Sequence, residues 1–388
     1  MAIYIYFALR YTWKNLSLIG ERKMKPDYNN SILNISNSIL KHYGAANHHN
    51  TLPLVDKLLE QKYKNVVLLV MDGMGVNVLE KHLPGDSFLR LNKEVDISSV
   101  YPCTTTAALT SIQSGKTPIE HGWIGWSNYF KEVDKCVDLF TNNESGMETA
   151  VCSENIANKY LAFDSIFSQL ENKVKTMAVS PFTEYFANTM EGICEHVKNL
   201  CVKDGKKFIY AYHYRPDYDM HELGVSNDEI SKLMIKYNAM LEKLANSLKD
   251  TLLLITADHG MIDVTMECIE DYPQLSSQLK RHICVEPRCC SFYVRDEFVT
   301  TFPKEFKETF ADKFILYTHD EFINSNLLGY GEIHYKVKDF VGDYVAIAVS
   351  DVALWYRDVN GVGKNFKGAH AGLTKEEMIV PLIVIERK

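Results

Sequence analysis

The chain has 388 residues, of which 46% are hydrophobic and 24% are charged, as is typical of a globular protein. This length fits one large domain with an insertion, or two modest domains. The formal net charge is −8, and an acidic chain without long basic runs disfavours duplex nucleic acid as a partner. Small charged substrates remain possible, because a bound metal ion reverses the local field.

The cysteines and the N-terminal segment bear on the cellular compartment. The nine cysteines include no Cys-x-x-Cys pair, which favours reduced thiols in a cytoplasmic protein over a disulfide framework. The apolar segment 2–9 is too short to span a bilayer and lacks a cleavage site, so no membrane association is predicted. Residues 1–23 are interpreted as an N-terminal extension of uncertain status, with Met24 as an alternative start. The sequence gives no oligomeric state.

Helical and strand patterns alternate over most of the chain. Helices are predicted over 32–43, 156–170 and 226–248, and strands over 66–71, 173–179, 207–212, 251–257 and 379–385. Such alternation predicts an α/β fold with a mostly parallel central sheet sandwiched by helices.

The rhythm changes after residue 261. Short aromatic strands at 290–294 and 344–349, with a helix near 303–312, predict a smaller α+β insertion. The predicted division is a catalytic core over 24–261 and 361–388, and the insertion over 262–360.

Two of the apolar strands run straight into an aspartate, Asp72 in the first and Asp258 in the second. Unbroken apolar runs are typical of strands buried on both faces of a parallel sheet. The loops at the carboxyl ends of such strands form the ligand crevice. Two carboxylates at one sheet edge repel each other unless a cation or a shared proton holds them together. The pattern therefore indicates a metal site.

Other candidate ligands follow further along the chain. Asp217 and His221 are four residues apart, which places both on one face of a helical turn. Taken alone, this pair is more often a capped turn with a surface histidine. His259 follows Asp258 at a strand end, where the turn allows both side chains to converge. His370 stands between two glycines and is either a ligand or an ordinary loop histidine.

Three consecutive threonines, Thr104, Thr105 and Thr106, precede an alanine-leucine run that ends at Gly115. This pattern is typical of a helix N-terminus, where one threonine serves as the N-cap. A hydroxyl at the positive end of a helix dipole is also well placed to act as a nucleophile on a phosphoryl group.

Together these segments resemble the alkaline phosphatase superfamily, and within it the nucleotide pyrophosphatase/phosphodiesterase-like branch. The resemblance covers roughly residues 60–388 and rests on five motifs in the same order. It implies an alkaline phosphatase-like fold, a nucleophile at Thr105 and two divalent metal ions, with Zn²⁺ favoured and Mn²⁺ as the alternative. The implied ligands are Asp217, His221 and His370 for one ion, and Asp72, Asp258, His259 and the Thr105 oxygen for the other.

The implied reaction is hydrolysis of a phosphodiester or nucleotide pyrophosphate bond in a small-molecule substrate, through a phosphothreonine on Thr105. Nucleotide-cleaving relatives have an asparagine where this chain has Ala108. The missing phosphoryl contact is therefore expected from a backbone N–H, from Thr106 or from another side chain. Trp126 lies in an aromatic-rich segment and either stacks a planar substrate group or belongs to the core.

Several alternatives remain. A phosphomonoesterase or phosphonate hydrolase would use the same scaffold. A phosphotransferase or mutase is disfavoured because the insertion follows the Asp-His-Gly motif. A non-catalytic phospho-ligand-binding protein would have lost a ligand or the nucleophile, and neither is missing. A sulfatase is disfavoured because Cys103 does not begin a Cys-x-Pro-x-Arg motif.

Overall fold

A computed structural model describes residues 24–358 and 360–388 of the chain. The predicted extension over residues 1–23 therefore lies outside the described residues. Two seven-stranded sheets organise the described part, one largely parallel and the other antiparallel. The candidate site lies between them.

The first sheet confirms the predicted α/β architecture. Its spatial order is β2 (Lys93–Ser98), β18 (Ile379–Arg387), β9 (Thr251–Thr256), β1 (Asn65–Met71), β8 (Lys207–His213), β6 (Lys175–Ser180) and β7 (Tyr185–Phe186). The strands from β9 to β7 run parallel, whereas β18 is antiparallel to both of its neighbours. Every residue of β1, β8 and β9 is buried, as expected of strands covered on both faces.

Helices cover both sheets and connect their strands. They are α1 (Ile32–His42), α2 (Pro53–Leu59), α3 (Val76–His82), α4 (Phe88–Leu91), α5 (Thr105–Ser114), α6 (Pro118–His121), α7 (Ile156–Tyr160), α8 (Ile166–Gln169), α9 (Met190–Val202), α10 (Asp217–Leu223), α11 (Asp228–Ser247), α12 (Pro273–Ser276), α13 (Phe302–Phe310), α14 (His319–Ile323), α15 (Val337–Phe340) and α16 (Lys375–Met378). Helix α9 packs on β8 and β6, α3 and α11 pack on β18, and α1 packs on α5. Within residues 24–358 and 360–388, no helix is both long and apolar enough to cross a bilayer.

The second sheet is antiparallel throughout. Its order is β14 (Phe314–Thr318), β15 (Tyr344–Ala348), β13 (Cys289–Phe292), β12 (Cys284–Glu286), β3 (Ser127–Phe130), β4 (Lys135–Asp138) and β5 (Asn143–Glu144). Two small pairs complete the strands, β10 (Ile262–Asp263) with β17 (Gly368–Ala369), and β11 (Thr265–Cys268) with β16 (Val352–Trp355). Three strands of the second sheet come from residues 127–144, which the predicted division assigned to the core. The domain boundaries stay a prediction.

The prediction of one helix over 156–170 is wrong. The segment forms two short helices, α7 and α8, and residues 161–165 between them are not helical. Asn155 and Ser165 each accept a hydrogen bond from a backbone N–H three residues on, so each acts as an N-cap. The cap at Ser165 starts a new helix in the middle of an apolar pattern that fits a continuous one.

The expectation of reduced thiols is wrong for one pair of cysteines. Cys136 and Cys284 form a disulfide, with their Cα atoms 6.4 Å apart. The bond joins β4 and β12, the two strands that flank β3. The other seven cysteines are free.

A buried ion pair ties the second sheet to the loop that carries His370. Arg288 Nε and Nη2 donate to the two carboxylate oxygens of Glu377, at 2.6 and 2.8 Å, and both side chains are fully buried. The same carboxylate accepts from the Gly372 backbone N–H and from the Thr374 hydroxyl, each at 2.7 Å. Such bidentate, charge-assisted bonds fix geometry as well as contributing energy.

We expect Glu377→Gln to lower the free energy of unfolding by about 3–5 kcal/mol, because it leaves a buried guanidinium without its counter-charge. Urea denaturation followed by circular dichroism measures the change. The control is Glu229→Gln, which breaks an exposed pair with Lys232 and should change the free energy of unfolding little. Equal losses in the two variants would show that the buried pair is not special.

Candidate active site

The two predicted strand-end aspartates meet at one edge of the first sheet. Strands β1 and β9 are parallel neighbours, so Asp72 and Asp258 leave the sheet side by side. Both residues are almost fully buried. The backbone N–H groups of Gly73 and His259 donate to Asp258 Oδ1 at 3.1 and 2.9 Å, and the Tyr212 hydroxyl donates to Asp72 Oδ2. These bonds leave one oxygen of each carboxylate free to face the site.

Three histidines, His221, His259 and His370, direct Nε2 towards this edge, because Nδ1 of each ring faces the backbone. Nδ1 lies within hydrogen-bond distance of a backbone carbonyl oxygen in each, at 2.8 Å for His221, 2.9 Å for His259 and 3.1 Å for His370. Because a carbonyl oxygen can only accept, Nδ1 carries a proton in each ring, and Nε2 has a free lone pair whenever the ring is neutral. Such backbone bonds orient metal-ligating histidines.

The lone pairs and carboxylates converge. His259 Nε2 lies 3.3 Å from Asp72 Oδ1 and 3.7 Å from Asp258 Oδ2. On the other side, His370 Nε2 lies 3.7 Å from Asp217 Oδ1, and His221 Nε2 lies 3.3 Å from Asp217 Oδ2. The rings of His259 and His370 stack with centroids 3.8 Å apart. The structure therefore brings all the predicted carboxylate and imidazole ligands into one cluster.

Within the cluster, two groups of three residues have ligand atoms that all lie within 4.8 Å of one another. One group is Asp72, Asp258 and His259, which matches one predicted ligand set. The other is Asp217, His259 and His370, in which His259 takes the place predicted for His221. His221 still contacts Asp217, so the predicted set of Asp217, His221 and His370 is also close together.

Burial and mutual repulsion shape the electrostatics of the cluster. Burial, and then the Asp258 and Asp217 carboxylates, raise the pKa of Asp72 well above its ordinary value. Burial likewise raises the pKa of Asp258. Burial acts in the same direction on Asp217, but the His221 imidazole outweighs it and lowers the pKa of that carboxyl. Burial lowers the pKa of His370 well below its ordinary value, which keeps the ring neutral and able to bind a metal.

These residues fit divalent cations. Among the described residues, Asp72 Oδ1, Asp217 Oδ1 and Asp258 Oδ2 are buried and have no hydrogen-bond partner. A buried carboxylate oxygen without a partner is costly. Three carboxylates with three imidazoles suit Zn²⁺, and Mn²⁺ by ligand type. A bound cation would supply the interaction that these oxygens lack.

Helix α5 brings the predicted nucleophile to the cluster. The helix begins at Thr105 with Thr104 at the N-cap, and it ends at Gly115, whose φ of 73° is readily adopted only by glycine. Thr105 Oγ1 lies 3.3 Å from His259 Nε2. Thr106 is fully buried and lies outside the lining of the adjacent cavity, so the structure does not place this predicted substrate contact there.

A cavity of about 420 Å³ opens beside Thr105. Helix α5, helix α10 and the loop after β17 contribute Thr105, Asp217, His221 and His370 to its lining, and the second-sheet side contributes Trp126, Asp138, Glu286, Trp355, Lys364 and Phe366. The Lys364 ammonium lies 5.0 Å from the Trp355 ring centroid and 5.3 Å from that of Phe366. Trp126 was predicted here from its aromatic-rich segment, whereas the other residues of this side were missed because no local spacing marks them.

A match to a protein family identifies the class of protein that carries this cluster. The family model described as type I phosphodiesterase / nucleotide pyrophosphatase matches residues 66–372. The chain belongs to this family. The family lies within the alkaline phosphatase superfamily, as the sequence motifs implied, and its members are phosphoric ester hydrolases. The chain is therefore an enzyme of that class.

Solved structures of related fold extend over most of the chain. Human ectonucleotide pyrophosphatase/phosphodiesterase 5 has a TM-score of 0.59 at 14% identity, covering 82% of this chain and 87% of its own. Its murine counterpart, in an inactive form in complex with AMP, has a TM-score of 0.55 at 16% identity, with the same coverage. Phosphonoacetate hydrolase from Sinorhizobium meliloti 1021, in complex with phosphonoformate, has a TM-score of 0.60 at 16% identity, covering 83% of this chain and 90% of its own. Among curated proteins, no sequence matches this member of the family at a significant level.

We expect Asp72→Asn to stabilise the metal-free protein at pH 8 by roughly 1 kcal/mol, because it removes one of three neighbouring buried carboxylates while keeping an oxygen for Tyr212. With saturating Zn²⁺ the wild type should instead be the more stable protein. It keeps all its carboxylate ligands and therefore binds Zn²⁺ more tightly, and tighter binding to the folded state stabilises it more. Urea unfolding in chelator and in Zn²⁺ measures both effects. Asp86→Asn, at an exposed position, is the control and should behave as wild type. A variant less stable than wild type in chelator would contradict this account.

Proposed function

We propose that this family member hydrolyses phosphodiester or nucleotide pyrophosphate bonds through a covalent phosphothreonine on Thr105, with two bound divalent metal ions. The observation that carries the proposal is the position of the Thr105 hydroxyl. It stands at the first residue of α5, 3.3 Å from His259 Nε2, and lines the same cavity as Asp217, His221 and His370. A hydroxyl at a helix N-terminus beside a cluster of ligands is arranged for phosphoryl transfer.

The residues proposed to hold the two ions are Asp217, His221 and His370 for one, and Asp72, Asp258, His259 and the Thr105 oxygen for the other. Because His259 lies close to both groups, it is also a candidate for the first site. When bound, such ions supply charge stabilisation for phosphoryl oxygens and lower the pKa of a hydroxyl or water. We infer Zn²⁺ from three imidazoles and three carboxylates, with Mn²⁺ as the alternative.

The proposed reaction has two steps, and Thr105 takes part in both. Thr105 Oγ1 forms a bond to phosphorus as the bond from phosphorus to the leaving oxygen breaks, and the hydroxyl proton passes to solvent. Water then attacks the phosphothreonine, and the bond from phosphorus to Oγ1 breaks to restore the hydroxyl. The backbone N–H groups of the first turn of α5, which have no acceptor within the helix, would donate to the phosphoryl oxygens of a bound substrate. We propose that these N–H groups replace the phosphoryl contact that an asparagine makes in nucleotide-cleaving relatives, where this chain has Ala108.

The cavity favours a substrate with an organic group larger than a bare phosphate. Trp126, Trp355 and Phe366 offer aromatic faces on which a planar group can stack. The murine relative was solved in complex with AMP, which supports the proposal that this cavity binds a nucleotide-like group. The complex of phosphonoacetate hydrolase with phosphonoformate supports the alternative, a phosphomonoesterase or phosphonate hydrolase with a smaller substrate. The cytoplasmic location and the absence of a duplex nucleic-acid or membrane partner stay predictions, and the disulfide between Cys136 and Cys284 removes the argument from reduced thiols for that location.

We expect Thr105→Ala to lower kcat by at least about 1000-fold, because removing a covalent nucleophile removes the first chemical step. Binding of two Zn²⁺ per chain should survive, as measured by calorimetry. Thr105→Ser, which keeps the hydroxyl, should retain measurable turnover, and Thr110→Ala on the same helix should act as wild type. Full activity in Thr105→Ala would refute the nucleophile assignment.

The substrate class is tested by rates on three compounds: bis(p-nitrophenyl) phosphate, p-nitrophenyl phosphate and phosphonoacetate. Each is assayed after reconstitution with Zn²⁺ and with Mn²⁺. We expect the highest kcat/KM on the diester, because the aromatic side of the cavity accommodates its second group. Faster turnover of the monoester or the phosphonate would favour the alternative. No hydrolysis with two metals bound would point to a binding protein.

A further inference from the structure

A single carboxylate of the second sheet contacts both the nucleophile helix and the aromatic wall. Glu286 ends β12, is 5% exposed and lines the cavity. Its Oε1 accepts a hydrogen bond from the Thr104 hydroxyl at 2.6 Å and another from the Trp126 backbone N–H at 2.7 Å. Two donors from distant parts of the chain therefore share one oxygen.

The bond to Thr104 replaces an ordinary helix cap. Thr104 occupies the N-cap position of α5, where a threonine hydroxyl usually accepts from a backbone N–H of the first turn. No such side-chain bond forms here, and the hydroxyl donates its proton to Glu286 on the second sheet. The first turn of α5 is thus held by the second sheet. It also keeps its N–H groups available beside Thr105.

The bond to Trp126 fixes the residue that enters β3. Its indole packs edge-on against Phe140, with ring centroids 5.6 Å apart, and its backbone N–H is held by Glu286. Trp126 therefore has restraints on both its ring and its main chain. The residue next to Thr105 and the residue that carries the indole are anchored to the same atom.

We propose that Glu286 is a positioning residue that fixes the spacing between the Thr105 hydroxyl and the Trp126 ring. It thereby keeps a substrate whose organic group stacks on Trp126 at the correct distance from the Thr105 hydroxyl. The inference rests on the proposed function, because it concerns the same cavity. Displacing reacting groups by about 1 Å can cost on the order of 100-fold in rate, so an anchor outside the reacting set can still control turnover.

A competing explanation is that Glu286 serves only as a charged partner of Lys364. Both residues line the cavity and interact electrostatically, together with Asp138. The two roles differ in what glutamine would do. Glutamine keeps an oxygen that accepts from Thr104 and Trp126, but it carries no charge.

The test compares Glu286→Gln and Glu286→Ala on two diesters with the same leaving group, phenyl p-nitrophenyl phosphate and methyl p-nitrophenyl phosphate. We expect alanine to lower kcat on the phenyl ester by at least about tenfold and to reduce the phenyl-over-methyl preference in kcat/KM. Glutamine should restore both to within about threefold. Equal effects of alanine on the two esters, or a glutamine variant as impaired as alanine, would overturn the proposal.

Two further variants separate positioning from general destabilisation. Trp126→Ala should remove the same preference, and adding Glu286→Ala to it should change the preference no further, as expected of residues that act through one contact. Asp343→Asn is the matched control, because Asp343 accepts from the Val294 backbone N–H at 2.7 Å beside the second sheet and does not line the cavity. It should leave the preference unchanged. If the losses of preference in Trp126→Ala and Glu286→Ala added up in the double variant, the two residues would act independently and the proposal would be overturned.

A readout without turnover keeps this inference distinct from the proposed function. Hydrogen exchange is followed by mass spectrometry on peptides that cover 104–114 and 123–130. We expect faster exchange in Glu286→Ala at both segments and wild-type exchange in Glu286→Gln. If the wild-type enzyme hydrolysed neither diester, the proposed function would fail while this result still tested the anchor. Unchanged exchange in Glu286→Ala would overturn it.

Discussion

Repulsion among three buried carboxylates is the constraint on which the site depends. Asp72, Asp217 and Asp258 each keep one buried oxygen without a partner in the described part of the chain. The fold moderates this cost through Tyr212, two backbone N–H groups and the His221 imidazole. It does not remove the cost, so the arrangement makes physical sense for a protein that folds around cations or binds them once folded.

Much of the geometry of this cluster is encoded locally, and the sequence was sufficient to predict which side chains lie close together; their roles stay a prediction. The strands that end in Asp72 and Asp258 are unbroken apolar runs, and their parallel pairing follows from that pattern. The i, i+4 pair of Asp217 and His221 lies on one helix, as its spacing indicated. Short-range rules of this kind specify which residues share an edge or a face, and the family motifs specify their order.

The far side of the cavity depends on long-range pairing that no local pattern reveals. Glu286 and Asp138 come from strands of the antiparallel sheet that are nearly 150 residues apart in sequence, like the cysteines two positions before them. Trp355 and Lys364 lie in other segments still. The split of the predicted helix at 156–170 has a different cause, because a serine cap outweighed the apolar periodicity.

The bond between Cys136 and Cys284 has a consequence for ligand recognition. Residues two apart on a strand lie on the same face. The bond therefore links the two strands just before the positions from which Asp138 and Glu286 reach the cavity. A wall held in this way has few conformations to lose when a ligand arrives, so binding costs little ordering entropy. Such a wall discriminates by rejecting groups of the wrong shape rather than by adapting to them.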